Sequence, residues 1–100
     1  MGSMDEAMKY LQETVDISAE IKNKEKALFT LGMISFELGK YEKALQYFDK
    51  TIELNENNAE AYFQRGEIYY LYYHDNIKAR AQWRKTIEID PGHLKAGKRL

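Results

Sequence analysis

The stretch ALQYFDKTIELN, residues 44–55, decides how this 100-residue chain is interpreted, because related stretches occur on both sides of it. Residues 79–90 read ARAQWRKTIEID, and residues 7–18 read AMKYLQETVDIS. Matching residues lie 35 positions later in the first case and 37 positions earlier in the second. Self-similarity at such a period predicts a stack of helical repeats.

A different helical pattern precedes the repeated stretch. Residues 25–38 carry apolar side chains at spacings of three and four, as expected of a helix with one buried face. Part of this pattern recurs 34 positions later, where Ala27, Phe29, Gly32 and Phe36 correspond to Ala61, Phe63, Gly66 and Tyr70. Each repeat therefore contains two predicted helices. Gly39 suits the left-handed residue that ends a helix, and Pro91 ends the last repeated stretch.

Composition favours one all-α domain over residues 4–100. The chain has one proline, six glycines and 44% hydrophobic residues, which suits long helices with a core. It lacks cysteine, which excludes disulfides, cysteine-ligated zinc and thiol catalysis. No apolar run approaches the roughly 20 residues that span a bilayer, so no membrane partner is expected and a cytoplasmic location is the default. Residues 1–3, Met1-Gly2-Ser3, look like the remnant of an expression tag.

Charge is unevenly distributed along the chain. Residues 1–60 carry 7 basic and 12 acidic side chains, whereas residues 61–100 carry 8 basic and 4 acidic ones. This polarity could steer a charged partner or assist the stacking of neighbouring repeats. Chance variation on solvated helix faces is an equally good explanation.

The two units resemble the tetratricopeptide repeat, a 34-residue helix-turn-helix with the pattern W-x2-L-G-x2-Y, then A-x3-F, then P. The residues that carry the match are Leu31, Gly32, Ala44 and Phe48 in the first unit and Gly66, Tyr69, Ala79, Trp83 and Pro91 in the second. The small residues are expected where paired helices approach most closely, with Phe48 or Trp83 filling the space beside them.

The resemblance implies a right-handed α-solenoid of antiparallel helix-turn-helix repeats. Its predicted units are residues 25–58 and 59–92, preceded by a helix over 4–24 that resembles a second repeat helix and followed by the start of another helix over 93–100. The polar residues 22–26 are predicted to connect the first two helices. The chain thus looks like a fragment of a longer array, for which self-association through the incomplete ends is one expectation.

Catalysis is not expected. His74 and His93 fall in separate turns without companion ligands, and no nucleophile, base and oxyanion donors converge in the sequence, so no metal or other cofactor is predicted. Basic residues of the C-terminal half could contact phosphates. They share their helices with acidic residues, and the net charge is −1, unlike that of a typical nucleic-acid binder, so nucleic acid is not an expected partner.

The expected function is protein–protein interaction. In the resembling family the first helices of the repeats line a concave surface, which implies a groove for a peptide or an amphipathic helix. The candidate binding residues are Phe29, Met33, Phe36, Phe63, Gln64, Glu67 and Tyr70. Phe29, Met33 and Gln64 occupy positions where some members carry a lysine and two asparagines that bind a C-terminal carboxylate, so that mode is not expected.

Two alternatives remain at this point. The same apolar residues could pack between adjacent repeats or under the N-terminal helix instead of contacting a ligand. The chain could also be a structural or oligomerising segment of a larger protein, such as the regulatory part of an enzyme.

Overall fold

The computed structural model describes the backbone of residues 2–100 and the side chains of residues 6, 9 and 17–100. Within this part of the chain the secondary structure is entirely helical, which confirms the predicted all-α class. The helices are α1 (Gly2–Glu37), α2 (Tyr41–Leu54), α3 (Ala59–Leu71), α4 (Asn76–Ile89) and α5 (Leu94–Arg99). Helices α1 and α2 form one antiparallel pair, α3 and α4 form the next, and α5 packs on α4.

The predicted connection at residues 22–26 is wrong, because α1 is one continuous helix of 36 residues. The prediction of separate helices over 4–24 and 25–38 came from analogy with the later repeats. Locally, the segment lacks glycine and proline and is rich in lysine and glutamate, which propagate a helix. Glu20 and Lys24 are also four residues apart, a favourable spacing for an ion pair on a helix. The described chain therefore contains five helices where six were predicted.

The other helix ends follow the predicted local chemistry. Gly39 has φ of +74° just after α1, the conformation in which glycine costs least. Asn58 caps α3 and Asp75 caps α4. The side chain of each accepts a hydrogen bond of 3.0 Å from a backbone N–H in the first turn of its helix. His93 caps α5 in the same way at 3.1 Å. In the longer turn before α4, His74 adopts φ of +54°.

The core lies where small residues of one helix meet a large side chain of the next. A Cβ atom added to Gly32 would lie 2.6 Å from Phe48 Cε1, so α1 and α2 approach closely only because position 32 has no side chain. Gly66 lies under Trp83 in the same manner. Ala44, Phe48 and Ala79 are fully buried.

Polar contacts connect the two helix pairs. Asn55 and Asn58 donate to the same Glu25 oxygen at 3.0 and 2.9 Å. Arg65 of α3 donates to Asp49 of α2 at 3.2 Å. Burial raises the pKa of Asp49, and the neighbouring arginine opposes that rise. No helix in the described part of the chain is both long and apolar enough to cross a membrane.

Candidate functional site

One open groove crosses the first helix of each repeat. It encloses about 530 Å³ and receives residues from α1, α3 and α5. The lining residues are Met33, Phe36, Glu37, Phe63, Gln64, Glu67, Lys95, Lys98 and Arg99. Five of the seven binding residues predicted from sequence are therefore brought together on one surface.

The floor of the groove is apolar. Met33 and Phe36 are half-buried and pack against the core shared by α1 and α2. Phe63 is only 4% exposed and its ring lies 4.9 Å from the imidazole of His93. Phe63 is thus mainly a core residue with an edge in the groove, whereas Met33 and Phe36 offer accessible apolar surface.

Glu67 is held by a residue that lies 32 positions away in the sequence. Arg99 donates from Nε and Nη2 to its two carboxylate oxygens, at 2.9 and 2.6 Å. Paired bonds of this kind fix both the distance and the orientation of the two groups. The guanidinium also lies 5.7 Å from the Tyr70 ring and 5.6 Å from the Trp83 ring. Glu67 is therefore already neutralised within the fold.

The edge formed by α5 is basic. Lys95 and Lys98 line the groove and take part in none of the ion pairs found among the described side chains. Glu37 lies on the α1 side of the same groove. The groove thus combines an apolar floor with two ammonium groups at one edge and a carboxylate at the other.

Phe29 and Tyr70, the other two predicted binding residues, lie outside this groove. The Phe29 ring packs 5.6 Å from that of Phe48 and borders a separate cavity near the turn at 55–58. Tyr70 packs 5.9 Å from the ring of Trp83. Both side chains occupy the predicted helix positions, but they contact core aromatic residues of their own helix pair.

The basic residues of α5 were not predicted as part of the groove. A signal for them was present, since Ala96 follows Ala61 by 35 positions and the same shift carries Phe63 to Lys98. Lys98 therefore occupies the position in the third unit that the groove phenylalanine occupies in the second. The sequence analysis missed this equivalence because only a short segment of the third unit is present, ending at Leu100.

A second open cavity lies between the start of α2 and the end of α3, with a volume of about 480 Å³. The Tyr72 hydroxyl donates to Glu42 at 3.3 Å, and the Glu42 carboxylate raises the pKa of Tyr72. The Tyr72 ring also packs 5.3 Å from that of Tyr41. These contacts connect the helix pairs, so this aromatic surface is explained by packing. No cluster of three or more metal-ligating side chains occurs among the described residues.

Replacing Arg99 with alanine is expected to lower the free energy of unfolding by about 1 kcal/mol, because Glu67 is then buried without its partner. The Glu67 side chain is 11% exposed, while that of Arg99 is 42% exposed, so solvent screens part of the interaction. Thermal unfolding measures the change. Lys85→Ala is the matched control, since its ion pair with Glu88 is solvent-exposed and is expected to contribute almost nothing. Equal losses of stability for Arg99→Ala and Lys85→Ala would contradict a stabilising role for the ion pair between Arg99 and Glu67.

Known proteins are similar to this chain in sequence and in fold. A family model described as TPR repeat matches residues 32–71. A TPR repeat-containing protein of Methanocaldococcus jannaschii is 38% identical over 94 residues, which is 92% of this chain and 16% of the relative.

Two solved structures have the same arrangement of helices. That of MamA has a TM-score of 0.71 at 29% identity, covering 75% of this chain and 43% of the other. YrrB, described as a TPR protein with an unusual peptide-binding site, has a TM-score of 0.70 at 31% identity. The match covers 91% of this chain and 46% of the YrrB chain. This chain spans about a sixth of the curated relative and less than half of either solved chain. The chain thus contains tetratricopeptide repeat sequence over residues 32–71, and its two helix pairs in one register have the fold of tetratricopeptide repeat proteins.

Proposed function

We propose that this chain is a non-catalytic protein-interaction module whose groove across α1, α3 and α5 binds a peptide or an amphipathic helix. The observation that carries the proposal is the convergence of Met33, Phe36 and Phe63 on one open groove. Accessible apolar surface in a concave site is the usual basis of peptide affinity.

The charges at the edges of the groove define which peptide fits it best. Lys95 and Lys98 supply two unpaired ammonium groups beside the apolar floor. A ligand with an apolar anchor flanked by acidic side chains would bury the anchor on Met33 and Phe36. Its carboxylates would then face α5. Such complementarity sets orientation and specificity more than affinity.

Similarity to tetratricopeptide repeat proteins supports the same kind of function. The related YrrB is described as having a peptide-binding site, and tetratricopeptide repeat domains typically act as interaction modules. The Glu67 carboxylate is excluded from direct ligand recognition in this proposal because Arg99 already binds both of its oxygens. Gln64 is the groove residue left to exchange hydrogen bonds with a peptide backbone.

The experiment is a binding screen with fluorescein-labelled peptides that share one amphipathic apolar pattern and differ only in acidic, neutral or basic flanking residues. The acidic set is expected to bind best. Met33→Glu is expected to weaken binding by about tenfold or more, equivalent to about 1.4 kcal/mol, because a charge replaces a floor residue. Lys95→Glu combined with Lys98→Glu is expected to reverse the preference for acidic flanks.

Lys50→Glu is the matched control, since Lys50 is exposed on α2 away from the groove. Circular dichroism verifies that each variant keeps its helicity. Phe63 is unsuitable for this test because a charge at a residue only 4% exposed would destabilise the core. Binding that is unchanged by Met33→Glu, or a flank preference that survives the double lysine substitution, would show that the ligand lies elsewhere.

A further inference from the structure

A small basic cavity adjoins the groove beside α5. It encloses about 220 Å³ and receives residues from α3, α4 and α5. Lys98 and Arg99 line both this cavity and the groove, so the two spaces are neighbours. The space is called the basic cavity below, and its lining residues are Tyr70, Asn76, Arg80, Trp83, Lys98 and Arg99.

The cations of the basic cavity have hydrogen-bond donors left for a ligand. Arg99 uses Nε and Nη2 to hold the two carboxylate oxygens of Glu67. A guanidinium carries five N–H groups, so both N–H groups of Nη1 and one of Nη2 are left over. Arg80 and Lys98 take part in none of the ion pairs found among the described side chains. With Glu67 offsetting Arg99, the basic cavity therefore retains two positive charges.

Aromatic rings hold the Arg99 guanidinium in place. It lies 5.7 Å from the Tyr70 ring and 5.6 Å from the ring of the buried Trp83. A guanidinium that is fixed by stacking and by paired bonds loses little further conformational freedom when it binds an anion. The basic cavity thus contains one preorganised cation beside two more mobile ones.

The positions of two of these cations are apolar in the preceding unit. The repeat offset of 35 relates Leu45 to Arg80 and Phe63 to Lys98. Leu45 packs against the core cluster that joins α2 to α3, and Phe63 is buried. Two positions used for apolar packing in one unit thus carry cations in the next. This change favours a charged ligand over another apolar contact at the basic cavity.

We propose that the basic cavity binds a phosphate group carried by the peptide in the groove, such as that of a phosphorylated serine or threonine. The inference rests on the proposed function of the groove and specifies one acidic flank of its ligand. A phosphate ester carries about −1.5 to −2 charges near pH 7 and three acceptor oxygens. These match the two unbalanced charges and the free donors of Arg80, Lys98 and Arg99. A carboxylate supplies one charge and two oxygens, so it satisfies the same donors less completely.

A nucleic-acid backbone fits this surface less well. Its phosphates repeat along the strand and are bound by extended tracks of cations. The basic cavity instead adjoins a groove with an apolar floor and with Glu37 on its α1 side, and the net charge of the chain is −1. A single phosphate beside an apolar anchor is the chemistry that these neighbours accommodate.

The test compares labelled peptides that share one amphipathic apolar pattern and differ at one flanking residue, which is serine, glutamate or phosphoserine. The variable residue is moved through each flanking position in turn, and fluorescence anisotropy measures the affinities. At the best position, phosphoserine is expected to bind about tenfold more tightly than glutamate, because phosphate adds charge-assisted hydrogen bonds. The gain is expected to shrink at high salt, since the cations are partly exposed and therefore screened.

Arg80→Gln is the discriminating variant, because Arg80 lines the basic cavity and not the groove. It is expected to lower the ratio of phosphoserine to glutamate affinity from about ten to near one. Arg84→Gln is the matched control and is expected to keep the ratio, since Arg84 is exposed one turn later on α4 and lines neither space. Circular dichroism verifies that both variants keep their helicity.

A phosphoserine peptide that binds no better than the glutamate peptide at any position, or a gain that survives Arg80→Gln, would overturn the inference while leaving the groove as a peptide site. Failure of all the peptides to bind would overturn the proposed function as well, so the two failures are distinguishable. Inorganic phosphate that competes as strongly as the phosphoserine peptide would show that the peptide does not supply the anion. Tight binding of single-stranded RNA that Arg80→Gln abolishes would reassign the basic cavity to nucleic-acid phosphate.

Discussion

Replacing Phe48 with alanine is expected to lower the free energy of unfolding by about 3–5 kcal/mol, the cost of removing a buried aromatic ring and leaving a cavity. Phe48 is fully buried between α1 and α2, where its ring meets Gly32 and packs 5.6 Å from Phe29. Few neighbours can fill the space, because the nearest position of α1 is a glycine. Total stability of small domains is about 5–15 kcal/mol, so this one change removes a large part of it.

Thermal and denaturant unfolding measure the effect, which for a domain of this size corresponds to about 4–8 °C in Tm for each kcal/mol. Ile77→Ala is the control, because Ile77 is 84% exposed and is expected to change stability by no more than about 0.5 kcal/mol. A loss for Phe48→Ala no greater than for this control would contradict its role in joining the helices.

Replacing Gly66 with leucine is expected to cost about 1–3 kcal/mol or more, because even a Cβ atom at this position collides with the indole of Trp83. Trp83 is 3% exposed and packs against Tyr70, so its ring cannot swing freely out of the way. Either α3 and α4 separate or the indole leaves its rotamer. Denaturant unfolding reports the loss of stability, and tryptophan fluorescence reports any displacement of the ring.

Gly97→Leu is the matched control for this overpacking. Gly97 is also a helical glycine, but nothing lies within 4 Å of a Cβ atom built there. Removing a helical glycine without a clash is expected to be neutral or to add up to about 1 kcal/mol. A loss of unfolding free energy for Gly66→Leu together with a gain for Gly97→Leu would separate the effect of close packing from that of helix propensity. A Gly66→Leu protein as stable as wild type would refute the close approach of α3 and α4 at this position.

Much of the fold was predictable from short-range patterns. Helix α2 (Tyr41–Leu54) covers nearly all of the repeated stretch 44–55, and Gly39 has the predicted left-handed conformation, because both features depend on residues close in sequence. The deep burial of Ala44 and Phe48 likewise follows from apolar spacing on one helix face. The exception was the first turn, where analogy with later repeats suggested a break that the helix-forming residues 22–26 do not make.

The groove was only partly predictable. Met33 and Phe36 lie on one face of α1, and Phe63 lies on the corresponding face of α3. The periodicity of the sequence indicates that face. Phe29 was assigned to it by the same reasoning, yet its ring packs on Phe48 and borders another cavity. Periodicity identifies the direction in which a side chain points, but the position of neighbouring helices decides whether it reaches a ligand surface or a core.

By itself, the sequence determined the helical repeat and the pairing of small residues with Phe48 and Trp83, because 3.6-residue periodicity and side-chain size act over short distances. Only the tertiary structure decided that Arg99 neutralises Glu67 and that Lys95 and Lys98 edge the groove. Those features join residues about 30 positions apart, and their geometry depends on how the helices stack.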